Sequence, residues 1–179
     1  MDHSSETGIS AWLTATERQV SCIGDAKVAR LRRHFDFSHQ EIWNACTDRD
    51  QLPRWFAEVS GDLQEGATLK FDVGAPCKVT SRILRCEPSN RLLLTWSYPG
   101  RDIDEIDFRL AADGDGAVVE LEHRSGDKTD WWFGAGSGWE YALLRLTVLL
   151  SGGDPTRVSA GQLDQKLGPL WRAAARACG

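Results

Sequence analysis

The chain has no apolar run approaching the roughly 20 residues that a membrane-spanning helix requires, and its first residues lack the basic-then-apolar order of a secretory leader. A cytoplasmic protein without a membrane span is therefore expected. Cysteine occurs five times (Cys22, Cys46, Cys77, Cys86, Cys178), an odd number with no C-x-x-C pair, which argues against a disulfide framework and against a structural zinc site. Reduced thiols are expected. His3, His34, His39 and His123 show no chelating spacing and the acidic residues are dispersed, so neither a metal nor another cofactor is expected. Excess positive charge is missing as well. With a formal net charge of -5, no overall field draws the protein to nucleic acid, and the basic cluster Arg30, Arg32, Arg33 is local. There is no internal repeat.

What remains is the composition of an ordinary globular protein, 41% hydrophobic and 26% charged over 179 residues, enough for one domain with tails. Two S-x-x-E capping boxes, Ser38 with Glu41 and Ser137 with Glu140, each precede an apolar run and predict a helix start. Between them, beyond a short helical turn ending near Trp55 and Phe56, the sequence alternates as strands over 58–63, 68–73, 78–87, 91–98, 103–111 and 117–124, separated by Pro, Gly, Asn and Asp turns. Asp113-Gly114-Asp115-Gly116 is the clearest hairpin turn. Gly24-Asp25 ahead of the alternating segment 27–37 suggests an earlier hairpin, whereas Met1 to about Ser10 reads as a loose tail. After Ser137, Trp139, Leu143, Leu146 and Leu150 form one helical stripe laid on a sheet. Gly168-Pro169 divides the remaining tail into two short helices.

Taken in order, ARLRRHFDFSHQEIWNACTDRDQLPRWF, DLQEGATLKF, NRLLLTWSY, GAVVELEHRSGD and SGWEYALLRLTVLL resemble the activator of heat-shock protein 90 ATPase homologue family of the START-like (SRPBCC) superfamily. The resemblance covers about Val28 to Gly153, and departs from the family at Ser38-His39, where a small residue and Pro usually stand. It implies an α+β helix-grip fold, a curved antiparallel sheet wrapped around a long C-terminal helix. The implied division is a tail or extra strand over 1–25, a START-like domain over 26–153 and a helical extension over 154–179. It also implies a cavity between sheet and helix that holds an apolar small molecule.

Strand parity then puts Arg33, Ser81, Asp104 and His123 on the concave face as candidate polar contacts, with Arg33 and Asp104 able to pair with one another. Leu69, Phe71, Trp96, Phe108, Trp139, Leu143 and Leu146 would form the apolar wall. The aromatic block Trp131, Trp132, Phe133 reads as a loop at the cavity mouth, with Trp132 as a ligand contact, or equally as core packing or a homodimer contact. Glycines 134, 136 and 138 would cradle a phosphate only if they opened a helix after a strand with a P-loop lysine, which is absent; a mobile gate suits them better. Gly136-Ser137-Gly138 is not a nucleophile elbow, so no triad is drawn and no catalytic residue is assigned. Three functions fit: a receptor for a small hydrophobic or amphipathic molecule of lipid or polyketide type; a cyclase or dehydratase with His123 as base and Arg33 steadying an enolate; and a chaperone-associated module. The first is preferred, and with it an absence of enzymatic activity.

Overall fold

The computed structural model describes residues 5–74, 78–126 and 131–176. Helix α1 (Glu6–Ala15) leads into a hairpin of β1 (Glu17–Ile23) and β2 (Ala26–Phe35). Helices α2 (His39–Thr47) and α3 (Leu52–Trp55) follow. Then come β3 (Glu58–Ser60), β4 (Thr68–Asp72), β5 (Lys78–Glu87), β6 (Arg91–Ser97), β7 (Ile103–Asp113) and β8 (Gly116–Ser125). Helix α4 (Trp131–Leu150), a 3-10 turn (Pro155–Arg157) and α5 (Ala160–Ala175) complete the chain. The strands form one eight-stranded sheet in the order β1-β2-β8-β7-β6-β5-β4-β3. Every pairing is antiparallel, and the sheet wraps α4 as the helix-grip reading expects.

Period-2 burial explains the sheet's inner face. Leu31 and Phe35 of β2, Leu92, Leu94 and Trp96 of β6, Ile106, Phe108 and Leu110 of β7, and Val119 and Leu121 of β8 are all buried. The outer face is charged, with Arg91 on Asp107, Arg109 on Glu120 and Arg30 on Glu122 across neighbouring strands, and Arg109 also on Asp107 of its own strand. The register shifts between Ile83 and Arg85 where β5 meets β6, a bulge that bends the sheet over the helix. At α2 the expected capping box is complete. Glu41 N–H donates to Ser38 Oγ, and the Glu41 carboxylate accepts from the Ser38 amide at 2.9 Å.

Several expectations are corrected. The stretch read as a loose tail, Met1 to about Ser10, runs into α1, which is capped by Ser5 and pinned by buried Ile9 and Trp12; two large buried side chains in a single short helix are too few to show as a period. The second capping box does not cap. Helix α4 begins at Trp131, so Ser137 and Glu140 lie inside it, buried, with Ser137 Oγ lacking a partner among the described residues and Glu140 paired elsewhere. The glycines accordingly sit within a helix rather than in a gate or phosphate loop. Gly136 has a specific reason to be there: a Cβ at that position would fall 2.5 Å from ring carbons of Trp171. The tail is one helix, not two. Pro169 lies inside α5, and the burial of Leu163, Leu167 and Trp171 along one stripe offsets the roughly 3 kcal/mol that an interior proline costs. Cys22, expected to be reduced, is disulfide-bonded, its partner lying outside the described residues; tertiary proximity makes that pair, and sequence spacing does not reveal it. Cys46 and Cys86 are free thiols.

Candidate functional site

The sheet and α4 do not pack solid between them. An outer cavity of about 260 Å³ opens beside the α4 flank, lined by Trp55, Phe56, Trp96, Tyr98, His123, Trp139, Tyr141 and Arg145, with Val73, Gly134, Ala135, Gly138 and Ala142. Beneath it lies an inner hollow of about 70 Å³, almost wholly apolar, walled by Phe71, Leu92, Leu94, Ile106, Phe108, Leu121 and Leu143 among others. Trp55, Phe56, Trp96 and Trp139 border both. Three of these rings make the partition: Phe56 stacks on Trp139 at 5.5 Å, Trp96 meets Trp139 edge-on at 5.2 Å, and Phe56 and Trp96 stand 6.2 Å apart. Phe71 closes the cluster, 5.4 Å from Trp96 and 5.8 Å from Phe56.

The Trp139 ring is held by a polar chain that crosses from helix to sheet. Its Nε1–H donates to His123 Nδ1 at 3.0 Å, and His123 Nε2 lies 2.9 Å from Asp104 Oδ2. An indole nitrogen can only donate. Nδ1 must therefore be the acceptor and Nε2 the protonated nitrogen, which points at the carboxylate as its natural donor. Adjacent strands place the pair, since Ile106 is the register partner of His123 on β7 and Asp104 is two residues away on the same face. His123 is 5% exposed. Burial of this ring is tolerated because both nitrogens are hydrogen-bonded.

The other sequence candidates distribute as follows. Trp96, His123 and Trp139 meet at the outer cavity, with Asp104 behind His123; Phe71, Phe108 and Leu143 line the inner hollow. Leu69, Ser81 and Leu146 are buried but line neither space, and Ser81 Oγ has no partner among the described residues. The side chain of Trp132 lies outside the described residues. Arg33 does not approach Asp104. It donates to the Trp12 carbonyl at 2.8 Å and to Thr16 Oγ1 at 3.2 Å, and its guanidinium lies over the Trp12 ring at 3.9 Å. Its register partner on β8 is Val119, whereas Ala29 is that of His123, four residues away or about 13 Å along the strand. Burial lowers the Arg33 pKa, with the Glu140 charge opposing. Glu140 centres this second polar cluster, accepting from Arg18 Nε at 2.8 Å and from Trp171 Nε1 at 3.1 Å.

Sequence reasoning did not single out Phe56, Tyr98, Tyr141 or Arg145 as cavity residues. Tyr98 was within reach of the argument, being two residues past Trp96 and hence on the same strand face. Tyr141 and Arg145 lie beside the apolar stripe rather than on it, and only the lateral offset of helix and sheet turns that flank toward the hollow. Among the described residues no group of acidic, histidine or cysteine side chains could hold a metal ion. No helix among them is long and apolar enough to cross a membrane.

No curated protein matches this chain. Among solved structures, it is similar to the crystal structure of CalU16 from Micromonospora echinospora, with 36% identity and a TM-score of 0.74 over 89% of this chain and 98% of that one. The solution structure of CalU16 gives 32% identity and a TM-score of 0.78 over 92% and 97%. A more distant likeness, 24% identical with a TM-score of 0.59 over 69% and 95%, is to a protein described as the Aha1 dimer from Colwellia psychrerythraea. That one speaks to fold alone. The family model for activator of Hsp90 ATPase homolog 1-like proteins matches residues 36–151, from just after β2 through the end of α4, and the chain belongs to that family.

Proposed function

We propose that the protein is a START-like receptor that holds one small, largely apolar molecule between its curved sheet and α4. The observation that carries this reading is the outer cavity of about 260 Å³, walled mainly by aromatic rings and separated from an apolar hollow only by the Phe56–Trp96–Trp139 layer. Aromatic walls with few polar groups are typical of small-molecule sites. At this volume, near the lower end of the usual range of roughly 300–1,000 Å³, the cavity suits a compact molecule rather than a two-chain lipid. In this reading His123 and Asp104 are positioning residues that fix the plane of the Trp139 wall.

The cyclase or dehydratase reading draws less support. A general base needs a free lone pair on the ring, and the Nδ1 lone pair of His123 already accepts the Trp139 indole proton. Arg33 stands too far along its strand to share a substrate with it. The chaperone-associated and homodimer readings rest on the family relationship rather than on a surface of this chain.

Native mass spectrometry of protein purified from its own host, with tryptophan fluorescence titrated against a panel of fatty acids and aromatic polyketides, tests the receptor reading. A retained small molecule, or saturable quenching by at least one compound, is expected. Neither a retained mass nor any saturable response would end it.

A further inference from the structure

The outer cavity carries one charged group whose surroundings do not account for it. Arg145 lies in the C-terminal half of α4, half-buried, on the cavity wall with Tyr141 and Trp55. Several arginines elsewhere in the fold meet carboxylates: Arg18 meets Glu140, Arg30 meets Glu122, and Arg91 and Arg109 meet Asp107. Among the described residues no carboxylate comes within 4.0 Å of Arg145. Its Nε donates to the Pro155 carbonyl at 3.3 Å and its Nη2 to the Arg54 carbonyl at 3.4 Å. Both are longer than the usual 2.7–3.2 Å of an N–H···O bond. A guanidinium has five N–H donors, so among the described residues most of its hydrogen-bonding capacity is unused and its charge has no contacting carboxylate. Asp154 feels the charge of Arg145, but its Oδ1 is turned to the Thr156 amide at 2.9 Å and the Thr156 hydroxyl at 2.7 Å.

The group is also held in place. Its guanidinium lies 5.5 Å from the Tyr141 ring centroid, and the two carbonyl bonds tether it from α3 and from the turn after α4. A planar, partly desolvated guanidinium fixed at the edge of an aromatic pocket matches the fork geometry of a carboxylate. The rest of the wall, Phe56, Trp96, Tyr98 and Trp139, offers ring faces and edges.

We infer that the cavity takes an aromatic carboxylic acid, its ring system against the tryptophan and phenylalanine walls and its carboxylate on Arg145. This rests on the receptor reading and adds to it the sign of the ligand's charge and the residue that reads it. The test is calorimetric titration of the full chain with 2-naphthoic acid and with methyl 2-naphthoate, which shares the ring system but lacks the charge. Wild type is expected to bind the acid about tenfold or more tightly than the ester, the range for a charge-assisted pair in a partly desolvated site. In Arg145→Gln the preference should vanish, with a far-ultraviolet circular dichroism spectrum like that of wild type showing that the variant is folded; Arg145→Lys should keep part of it. Equal binding of acid and ester by wild type overturns this inference and leaves the receptor reading standing. So does a preference for the acid that survives in Arg145→Gln. Binding of neither compound up to millimolar concentration overturns the inference, whereas the receptor reading falls only if the broader panel fails as well.

Discussion

Replacing Glu140 by leucine takes one carboxylate out of the interior and leaves a guanidinium behind. Glu140 is 0% exposed, and its partner Arg18 is 9% exposed. The carboxylate accepts from Arg18 through both oxygens and from the Trp171 indole through Oε2. Arg18 in turn is tied by Nη1 to the Leu13 and Thr16 carbonyls at the end of α1. One side chain of α4 therefore joins α1, β1 and α5 to the core. Removing a single partner from a buried ion pair costs about 3–5 kcal/mol, a large share of the roughly 5–15 kcal/mol that a domain possesses. For a chain of this length about 2–4 °C is lost per kcal/mol, so Tm should fall by roughly 6–20 °C. The double variant Arg18→Met with Glu140→Leu removes both charges and is expected to recover part of that loss. The remainder is about 1–3 kcal/mol for a Trp171 N–H without an acceptor. Urea unfolding and thermal circular dichroism at pH 7 on both variants decide it. A loss below about 1 kcal/mol in the single variant, or a double variant no more stable than the single, would refute the reasoning.

Four further outcomes are expected. Gly136→Ala should destabilise, because its Cβ collides with Trp171 at 2.5 Å, while Gly134→Ala and Gly138→Ala, whose Cβ atoms meet nothing within 4 Å, should be neutral or stabilising by up to about 1 kcal/mol; urea midpoints of the three separate steric packing from helix propensity. His123→Leu deprives the Trp139 indole of its acceptor and should cost about 1–3 kcal/mol and alter the near-ultraviolet circular dichroism of the tryptophans, whereas an unchanged spectrum would show that the relay does not fix the ring. Burial works against ionisation of Asp107, but the hydrogen bond from Arg91 and the charges of Arg109 and Arg91 outweigh it and hold its pKa below the ordinary value. Its stabilising contribution is thus present above the unfolded value of about 3.9 and is lost as pH falls through the lower folded value; Asp107→Asn should flatten the acid limb of stability measured between pH 7 and 2. Ser38→Ala removes the cap of α2 and should cost about 1 kcal/mol in the same unfolding assay.

The sheet was legible because strands announce themselves locally. Alternation and turn residues placed β5 at 78–87 and the neighbouring strands within a few residues of their ends, and the Ser38–Glu41 box marked α2 to the residue. The same local logic failed at Ser137–Glu140, since an S-x-x-E pattern is only a cap if the chain before it is not already helical. There the helix already runs from Trp131, and Gly136 packs on Trp171 while Glu140 turns to Arg18. At the candidate site, parity groups His123 and Asp104 on one strand face, where the two side chains meet, and two-residue spacing would have added Tyr98. Arg33 obeys the same parity yet faces Trp12, because α1, invisible to periodicity, covers that end of the sheet.

Sequence alone determined the secondary structure that depends on neighbours along the chain, the antiparallel meander followed by a long amphipathic helix, and with it the family. Tertiary structure alone decided where the interior is hollow and which polar groups find one another. Glu140 meets an arginine 122 positions away, His123 meets an indole from α4, and Arg145 meets no carboxylate among the described residues. Such pairings depend on how the bent sheet sits against the helix, a distance set by the sum of all the packed side chains rather than by any short stretch of residues.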